Sequence, residues 1–133
     1  MILVDSTDPL GPGEGLFTTE FYRNCYWALN DKGILINQHE SPYYKEYAYE
    51  MRRAHKKLAS VFPIATVYQF YMPTYSSGHW LFGFASKGLD PVKDADFKRW
   101  SEFGLQNRYY NPGVHLGAFA LPNYVQEELQ KED

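Results

Sequence analysis

The sequence predicts an α/β fold in which short buried strands alternate with helices and an antiparallel pair follows. Three observations support this prediction. An apolar run at residues 2–4 is followed by acidic residues and a proline, as at the end of a buried strand. A helix, a strand and a second helix then follow in order. Two further apolar runs are separated only by a short turn at residues 74–78, which requires an antiparallel pair.

The first helix is predicted to begin at Thr18 or Thr19, since either side chain can cap it. Apolar residues then recur at helical spacing until Gly33, which is a natural stop. These apolar positions are Phe21, Tyr22, Cys25, Ala28 and Leu29.

A second buried strand is predicted at residues 33–38, and a second helix follows it. Ser41 is the expected cap of that helix, Pro42 fits its first turn, and Pro63 ends it. Its apolar stripe comprises Tyr44, Ala48, Met51, His55, Leu58 and Phe62. The alternation of strands and helices predicts parallel strands with right-handed crossovers.

The third and fourth strands are predicted at residues 65–73 and 79–86. A short helix is expected at residues 94–103, and a loop at residues 109–113. Residues 115–120 are predicted to be a strand or an extended segment, and residues 124–131 a terminal helix.

Composition favours one domain with a substantial core and excludes some partners. The chain has 133 residues, 18% of them aromatic, and a net charge of −3. That charge gives no reason to expect nucleic acid or an anionic membrane as a partner. The basic residues at 52–57 are expected to form an ordinary solvated helix face. No signal peptide or membrane-spanning run is visible, so a cytoplasmic location is expected.

Several kinds of site lack support in the sequence. The four histidines show no metal-ligand spacing with each other or with Cys25, which is expected to be a buried structural thiol. No Gly-x-Ser-x-Gly motif supports a serine hydrolase. The glycines at 11, 13 and 15 lie between a strand and a helix, as in a nucleotide loop. Their spacing departs from that motif, and Glu14 would repel a phosphate.

Polar and aromatic residues stand at the predicted strand ends, where open α/β sheets bind ligands. They are Asp5, Asp8, Gln38 and Tyr75. Two carboxylates there suit a positively charged small molecule. Each residue also has an ordinary structural explanation: Asp8 before Pro9 fits a turn, Gln38 a strand cap and Tyr75 the core. Spacing alone leaves both possibilities open.

A stretch that includes these acids resembles the spermidine synthase (polyamine aminopropyltransferase) family. The main motif is Asp5-Ser6-Thr7-Asp8-Pro9-Leu10-Gly11-Pro12. Similar motifs follow in order: Leu16-Phe17, Phe21-Tyr22, Asn37-Gln38, Pro73-Thr74-Tyr75 with Ser77-Gly78, Tyr109-Tyr110-Asn111, and residues 118–122. Ser76 departs from the proline often found at its position.

The resemblance implies the C-terminal portion of a Rossmann-like sheet, of the S-adenosylmethionine-dependent methyltransferase type, with an antiparallel hairpin. Residues 1–133 would be the C-terminal part of the catalytic domain. The family's N-terminal β-domain and the first half of its Rossmann sheet have no counterpart in this sequence. The strand at residues 2–4 would then have an unpaired edge, so association with a second copy or with a complementing N-terminal half is expected.

The resemblance also implies site roles. Asp5 would help to deprotonate the attacking amine and bind it, and Asp8, Gln38 and Tyr75 would hold the diamine. Pro12 would contact the co-substrate, decarboxylated S-adenosylmethionine, beneath a gate formed by residues 8–16. The implied reaction transfers an aminopropyl group to putrescine and requires no metal or redox cofactor.

Two hypotheses about function remain open at this point. The chain is the catalytic C-terminal half of an aminopropyltransferase that needs its other half, or it is a catalytically silent fragment that only folds and oligomerises. A different S-adenosylmethionine-dependent transferase is a third alternative, although paired acids suit an amine acceptor better. The sequence does not decide which amine is preferred or whether Met1 is a natural start.

Overall fold

The computed structural model describes residues 1–7, 9 and 11–132. Within these residues the chain forms a four-stranded sheet with helices packed on both faces. The strands are β1 (Ile2–Val4), β2 (Ile34–Gln38), β3 (Ile64–Tyr71) and β4 (His79–Ser86). The helices are α1 (Thr19–Ala28), α2 (Lys45–Ala59), α3 (Phe97–Glu102), α4 (Pro112–Phe119) and α5 (Asn123–Gln130), and a 3₁₀ helix spans Gly11–Phe17.

The strand order across the sheet is β1-β2-β4-β3. β1 and β2 are parallel, and β4 runs antiparallel to both of its neighbours, with Gly83 opposite Asn37 on one side and Val67 on the other. The predicted parallel strands and the antiparallel hairpin are therefore confirmed. Because β4 lies between β2 and β3, the last of the described strands occupies an interior position in the sheet.

Helix α1 begins where the sequence predicts. The Thr18 hydroxyl oxygen accepts a hydrogen bond from the Phe21 backbone N–H at 3.1 Å and caps the helix. The α1 residues Tyr22 and Cys25 are buried against Leu35 of β2. Burial raises the pKa of the Cys25 thiol, which fits the structural role expected of it.

Helix α2 begins later than predicted, at Lys45 rather than directly after Ser41. The Ser41 side chain is engaged elsewhere: its oxygen accepts from the Tyr43 backbone N–H and forms a hydrogen bond with the Ser77 hydroxyl. The predicted apolar stripe is confirmed at Met51 and Leu58, which are fully buried.

The prediction that the basic residues of α2 form a solvated face is wrong for Arg52. Only 7% of Arg52 is exposed, and its guanidinium forms an ion pair with Glu128 of α5. A charged helix face that meets another helix becomes an internal contact, which composition alone does not reveal. This ion pair ties α5 to α2.

The predicted strand or extended segment at residues 115–120 is also wrong, because this segment belongs to α4. The Asn111 side chain accepts from the Val114 backbone N–H at 2.9 Å, and Pro112 occupies the first turn. The Asn-Pro-Gly sequence that favours a loop is here a helix start. The α4 residue Phe119 packs against Tyr68 and Phe84 on one face of the sheet.

Candidate functional site

Three of the predicted site residues, Asp5, Gln38 and Tyr75, line one open cavity of about 530 Å³. The carboxyl ends of the parallel strands β1 and β2 lie at the same edge of the sheet, and the β3–β4 turn reaches that edge too. This is where open α/β sheets bind ligands. The full lining consists of Asp5, Ser6, Thr7, Gln38, Thr74, Tyr75, Ser76 and Trp80.

The Gln38 side chain joins the ends of the two parallel strands. In the amide orientation that its neighbours require, the Gln38 nitrogen donates to Asp5 Oδ1 at 3.2 Å. The same nitrogen donates to the Ser6 carbonyl oxygen at 2.9 Å. These bonds fix the position of the Asp5 carboxylate and leave its remaining acceptor sites for a ligand.

Tyr75 is held in the tight turn between β3 and β4. Its backbone N–H donates to the Met72 carbonyl and its carbonyl accepts from the Gly78 N–H, both at 3.0 Å. Ser77 and Gly78 have positive φ values of 66° and 68°, which close the turn. The Tyr75 ring meets the Trp80 ring edge-on at a centroid distance of 5.0 Å. It remains 48% exposed and accessible from the cavity that it lines.

A buried polar layer lies directly behind this edge of the sheet. The Asn37 amide nitrogen donates to the Tyr22 hydroxyl at 3.1 Å and to His39 Nδ1 at 3.3 Å. Burial lowers the pKa of His39 to about 3, with a smaller contribution from the neighbouring His55. His39 is therefore a neutral ring at physiological pH.

Sequence reasoning missed this layer. Asn37, His39 and Glu40 are each at most 2% exposed. Their positions within and directly after a predicted buried strand were the sequence signal that could have indicated a buried polar layer. Gly83 is required beside them, because a Cβ there would lie 2.5 Å from Asn37 Oδ1. The end of β2, which carries Gln38, is therefore surrounded by buried, closely packed polar side chains.

The chemistry of the cavity suits a cationic ligand with hydrogen-bond donors. Its described lining includes the Asp5 carboxylate and several hydroxyl groups, but no lysine or arginine. The Tyr75 and Trp80 rings add aromatic surface, which attracts a cation through its π-electrons. An alkyl ammonium group has the charge and the donors that this arrangement accepts.

Two predicted site residues remain, Asp8 and Pro12. Asp8 lies outside the described residues, so its expected pairing with Asp5 stays a prediction. Pro12 lies in the 3₁₀ helix and is exposed, and it is not among the described residues that line the cavity. The expected gate at residues 8–16 therefore overlaps a 3₁₀ helix over most of its length.

A second cavity of about 380 Å³ lies between the sheet and α4, and its lining is predominantly apolar. His115, which lines this cavity, has a hydrogen bond at each ring nitrogen: to the Tyr110 hydroxyl and to the Pro91 carbonyl oxygen. The two carboxylates of this cavity, Asp90 and Asp94, accept hydrogen bonds from the backbone N–H groups of Asp90, Val92 and Lys93.

No cluster of three or more histidine, cysteine, aspartate or glutamate side chains has the arrangement of a metal site in the described part of the chain. No helix there is both long and apolar enough to cross a membrane.

Comparison with known proteins identifies closely similar sequences. Residues 1–96 match the model of the spermine/spermidine synthase domain. The polyamine aminopropyltransferase of Clostridium acetobutylicum is 64% identical over all 133 residues, which cover 46% of that relative. The polyamine aminopropyltransferase of Alkaliphilus oremlandii is 62% identical over the same residues, which cover 47% of it. The chain thus spans about half the length of the curated relatives it matches.

Solved structures agree with these sequence matches. A spermidine synthase in complex with the transition-state analogue AdoDATO superimposes with a TM-score of 0.87 at 46% identity, over 94% of this chain and 42% of that one. The Thermotoga maritima spermidine synthase gives a TM-score of 0.83 at 44% identity, over 94% of this chain and 41% of that one. The predicted fold class, a portion of a Rossmann-like sheet with an antiparallel hairpin, is confirmed.

Proposed function

This chain belongs to the spermine/spermidine synthase family, and we propose that it carries the amine-acceptor part of a cytoplasmic aminopropyltransferase site. The proposed reaction moves the aminopropyl group of decarboxylated S-adenosylmethionine to putrescine, giving spermidine and methylthioadenosine. The observation that carries the proposal is the convergence of Asp5, Gln38 and Tyr75 on one cavity without a lining lysine or arginine.

Each site residue has a proposed role. Asp5 accepts the proton of the attacking amine, and Gln38 fixes the Asp5 carboxylate through the 3.2 Å hydrogen bond. Tyr75 packs against the alkyl chain and the ammonium group of the diamine. Asp8 is proposed as the second anion for the diamine, and Pro12 as a contact for the adenine-bearing co-substrate.

The reaction requires a neutral amine nitrogen. An alkyl ammonium group resembles lysine, with a pKa of about 10.4, so its deprotonation at pH 7 costs about 4–5 kcal/mol. The Asp5 carboxylate first takes up that proton, and the freed nitrogen lone pair then forms the nitrogen–carbon bond as the carbon–sulfur bond breaks. The electron pair of the broken bond stays on sulfur and neutralises the sulfonium, so the leaving group needs no further activation. Holding the amine nitrogen in line with the carbon–sulfur bond lowers the remaining activation barrier.

Activity is proposed to need a complementing polypeptide, because the aligned relatives are about twice as long as this chain. β1 provides a docking edge: within the described residues its hydrogen-bonded neighbour is β2 alone, and Leu3 is 64% exposed. The alternative function is a catalytically silent fragment that folds and associates with a second copy through the same edge.

The test separates amine binding from catalysis. Putrescine binding to the chain is measured by isothermal titration calorimetry. Aminopropyl transfer from decarboxylated S-adenosylmethionine is assayed with the chain alone and after co-expression with the N-terminal half of the Clostridium acetobutylicum relative. We expect binding by the chain alone and transfer only after co-expression.

Asp5→Asn is expected to abolish transfer and weaken putrescine binding while the free energy of unfolding stays unchanged. Asp31→Asn, the same chemical change at an exposed position outside the cavity, is the control and should leave both properties intact. Putrescine binding without transfer in the co-expressed sample would favour the silent fragment, and absence of binding would reject the amine site.

A further inference from the structure

The turn that carries Tyr75 is anchored by His79, whose two ring nitrogens both form hydrogen bonds. Nδ1 lies 2.7 Å from the Tyr124 hydroxyl of α5, and Nε2 lies 2.9 Å from Gln69 Oε1 of β3. His79 is the first residue of β4, so it stands directly at the base of the turn.

The direction of each hydrogen bond follows from the Gln69 amide. Its nitrogen donates to the carbonyl oxygens of Gly117 and Ala120, both at 3.2 Å, so its oxygen must be the group that faces His79. His79 Nε2 therefore carries the proton and donates to Gln69 Oε1, and Nδ1 accepts from the Tyr124 hydroxyl. The ring is fixed in one tautomer by Tyr124 of α5 and Gln69 of β3.

The same residue connects to the turn through its backbone. The His79 N–H donates to the Ser77 hydroxyl oxygen at 3.2 Å, and that hydroxyl also bonds Ser41 at 3.0 Å. A continuous chain of hydrogen bonds thus runs from α5 through His79 to the turn and on to the segment after β2. This chain holds the turn whose residues Thr74, Tyr75 and Ser76 line the cavity.

We propose that His79 is a positioning residue and that Tyr124, acting through it, fixes the turn that presents Tyr75 to the amine. This inference rests on the proposed amine site. It extends that site to α5, although the family model matches only residues 1–96. The C-terminal helices are therefore part of the binding apparatus without contacting the ligand.

The test removes one hydroxyl group. Tyr124→Phe keeps the ring and breaks the bond to His79 Nδ1. Tyr110→Phe is the matched control. It also removes a tyrosine hydroxyl that forms a hydrogen bond with a histidine, here a bond of 2.9 Å to His115 Nδ1, and neither residue lines the cavity. Hydrogen exchange of the Tyr75 and Gly78 amides is followed by NMR. We expect about fivefold faster exchange in Tyr124→Phe, the equivalent of one net hydrogen bond, and no change in Tyr110→Phe.

Putrescine affinity supplies the second measurement, in a double-mutant cycle. Tyr124→Phe should weaken binding about fivefold in the wild-type background and have no effect in the Tyr75→Ala background, because the effect passes through Tyr75. Equal weakening in both backgrounds, or unchanged exchange of the turn amides, would overturn the proposal. If the wild-type chain binds no putrescine, the proposed function fails, and the exchange data alone decide whether α5 fixes the turn.

Discussion

The Gln38 amide nitrogen and the Asp5 carboxylate meet at 3.2 Å across the ends of two parallel strands. Because the same nitrogen also donates to the Ser6 carbonyl, Gln38 fixes the acid and the backbone that follows it. The carboxylate is thus oriented before any ligand arrives, which reduces the ordering cost of binding.

Gln38→Leu should test this orientation, since leucine keeps most of the volume and loses both hydrogen bonds. We expect putrescine affinity to fall about tenfold and the free energy of unfolding to fall by only about 1 kcal/mol. Calorimetry and urea unfolding measure the two effects. Gln126→Leu, which removes an exposed amide that donates to the Leu121 carbonyl, should leave affinity unchanged. Equal affinities for wild type and Gln38→Leu would show that Asp5 needs no such support.

Gly83→Ala should destabilise the fold through direct overlap. The new Cβ would lie 2.5 Å from both Asn37 Oδ1 and His39 Cε1 in the centre of the sheet. We expect a loss of about 1–3 kcal/mol in the free energy of unfolding, measured with urea. Gly117→Ala in α4 is the control: its Cβ would meet nothing within 4 Å, and a helical alanine should add about 0.5–1 kcal/mol. A neutral result at Gly83 would mean that the polar layer can move aside.

Stability should fall as the pH drops below 6.5, because of His39. The pKa of His39 is about 3 in the folded protein, below the ordinary histidine value of 6.5, so the unfolded chain binds a proton near pH 6 that the folded chain does not. The loss from this group should reach about 2 kcal/mol between pH 7.5 and pH 5.0. Burial also lowers the pKa values of His55 and His79, which act in the same direction.

Urea unfolding at the two pH values measures this loss, and His39→Gln should reduce it. NMR of the wild-type ring provides a check that does not depend on the variant. The His39 ring signals should show no titration between pH 7.5 and pH 5.0, and a titration midpoint near 6.5 would contradict the assignment.

Leu3→Lys should prevent association through β1. A lysine on an exposed strand edge opposes pairing with another strand, because pairing would bring its charge against the partner. Sedimentation velocity should show association of the wild-type chain and a monomer for Leu3→Lys. Leu105→Lys, at a loop position that is 57% exposed, should associate like the wild type. A monomeric wild-type chain would argue against β1 as a docking edge.

Local patterns in the sequence predicted the strands and α1 well. The apolar run before Asp5 and the short turn around Tyr75 each allow few arrangements, so they led to the correct sheet edge. The cap of α1 is also local, since Thr18 bonds a backbone N–H within the first turn. Such features depend on neighbours in the sequence and can be read from it.

Features that depend on distant partners were not predicted. Ser41 bonds Ser77 instead of capping α2, and Arg52 pairs with Glu128 instead of facing solvent. At Asn111 the local sequence is compatible with a turn or with a helix start. The structure has the helix, whose residue Phe119 packs against the distant strands β3 and β4. The polar residues in and after β2 were a signal of the buried layer around His39, but the layer also needs Gly83 of another strand, so β2 alone did not suffice to predict it.

The place of β4 in the sheet has a consequence for how the chain acquires its structure. In the described part of the chain, β2 and β3 are joined through β4, so the hydrogen bonds on both sides of β4 form after residues 79–86 have been synthesised. Earlier segments can form helices and β1 can pair with β2, but the groove between Asp5 and Tyr75 closes in one late, long-range step. During translation, the nascent chain therefore exposes apolar surface and unpaired strand edges until β4 has been synthesised. Aggregation is most favourable in that interval, and chaperones would bind then.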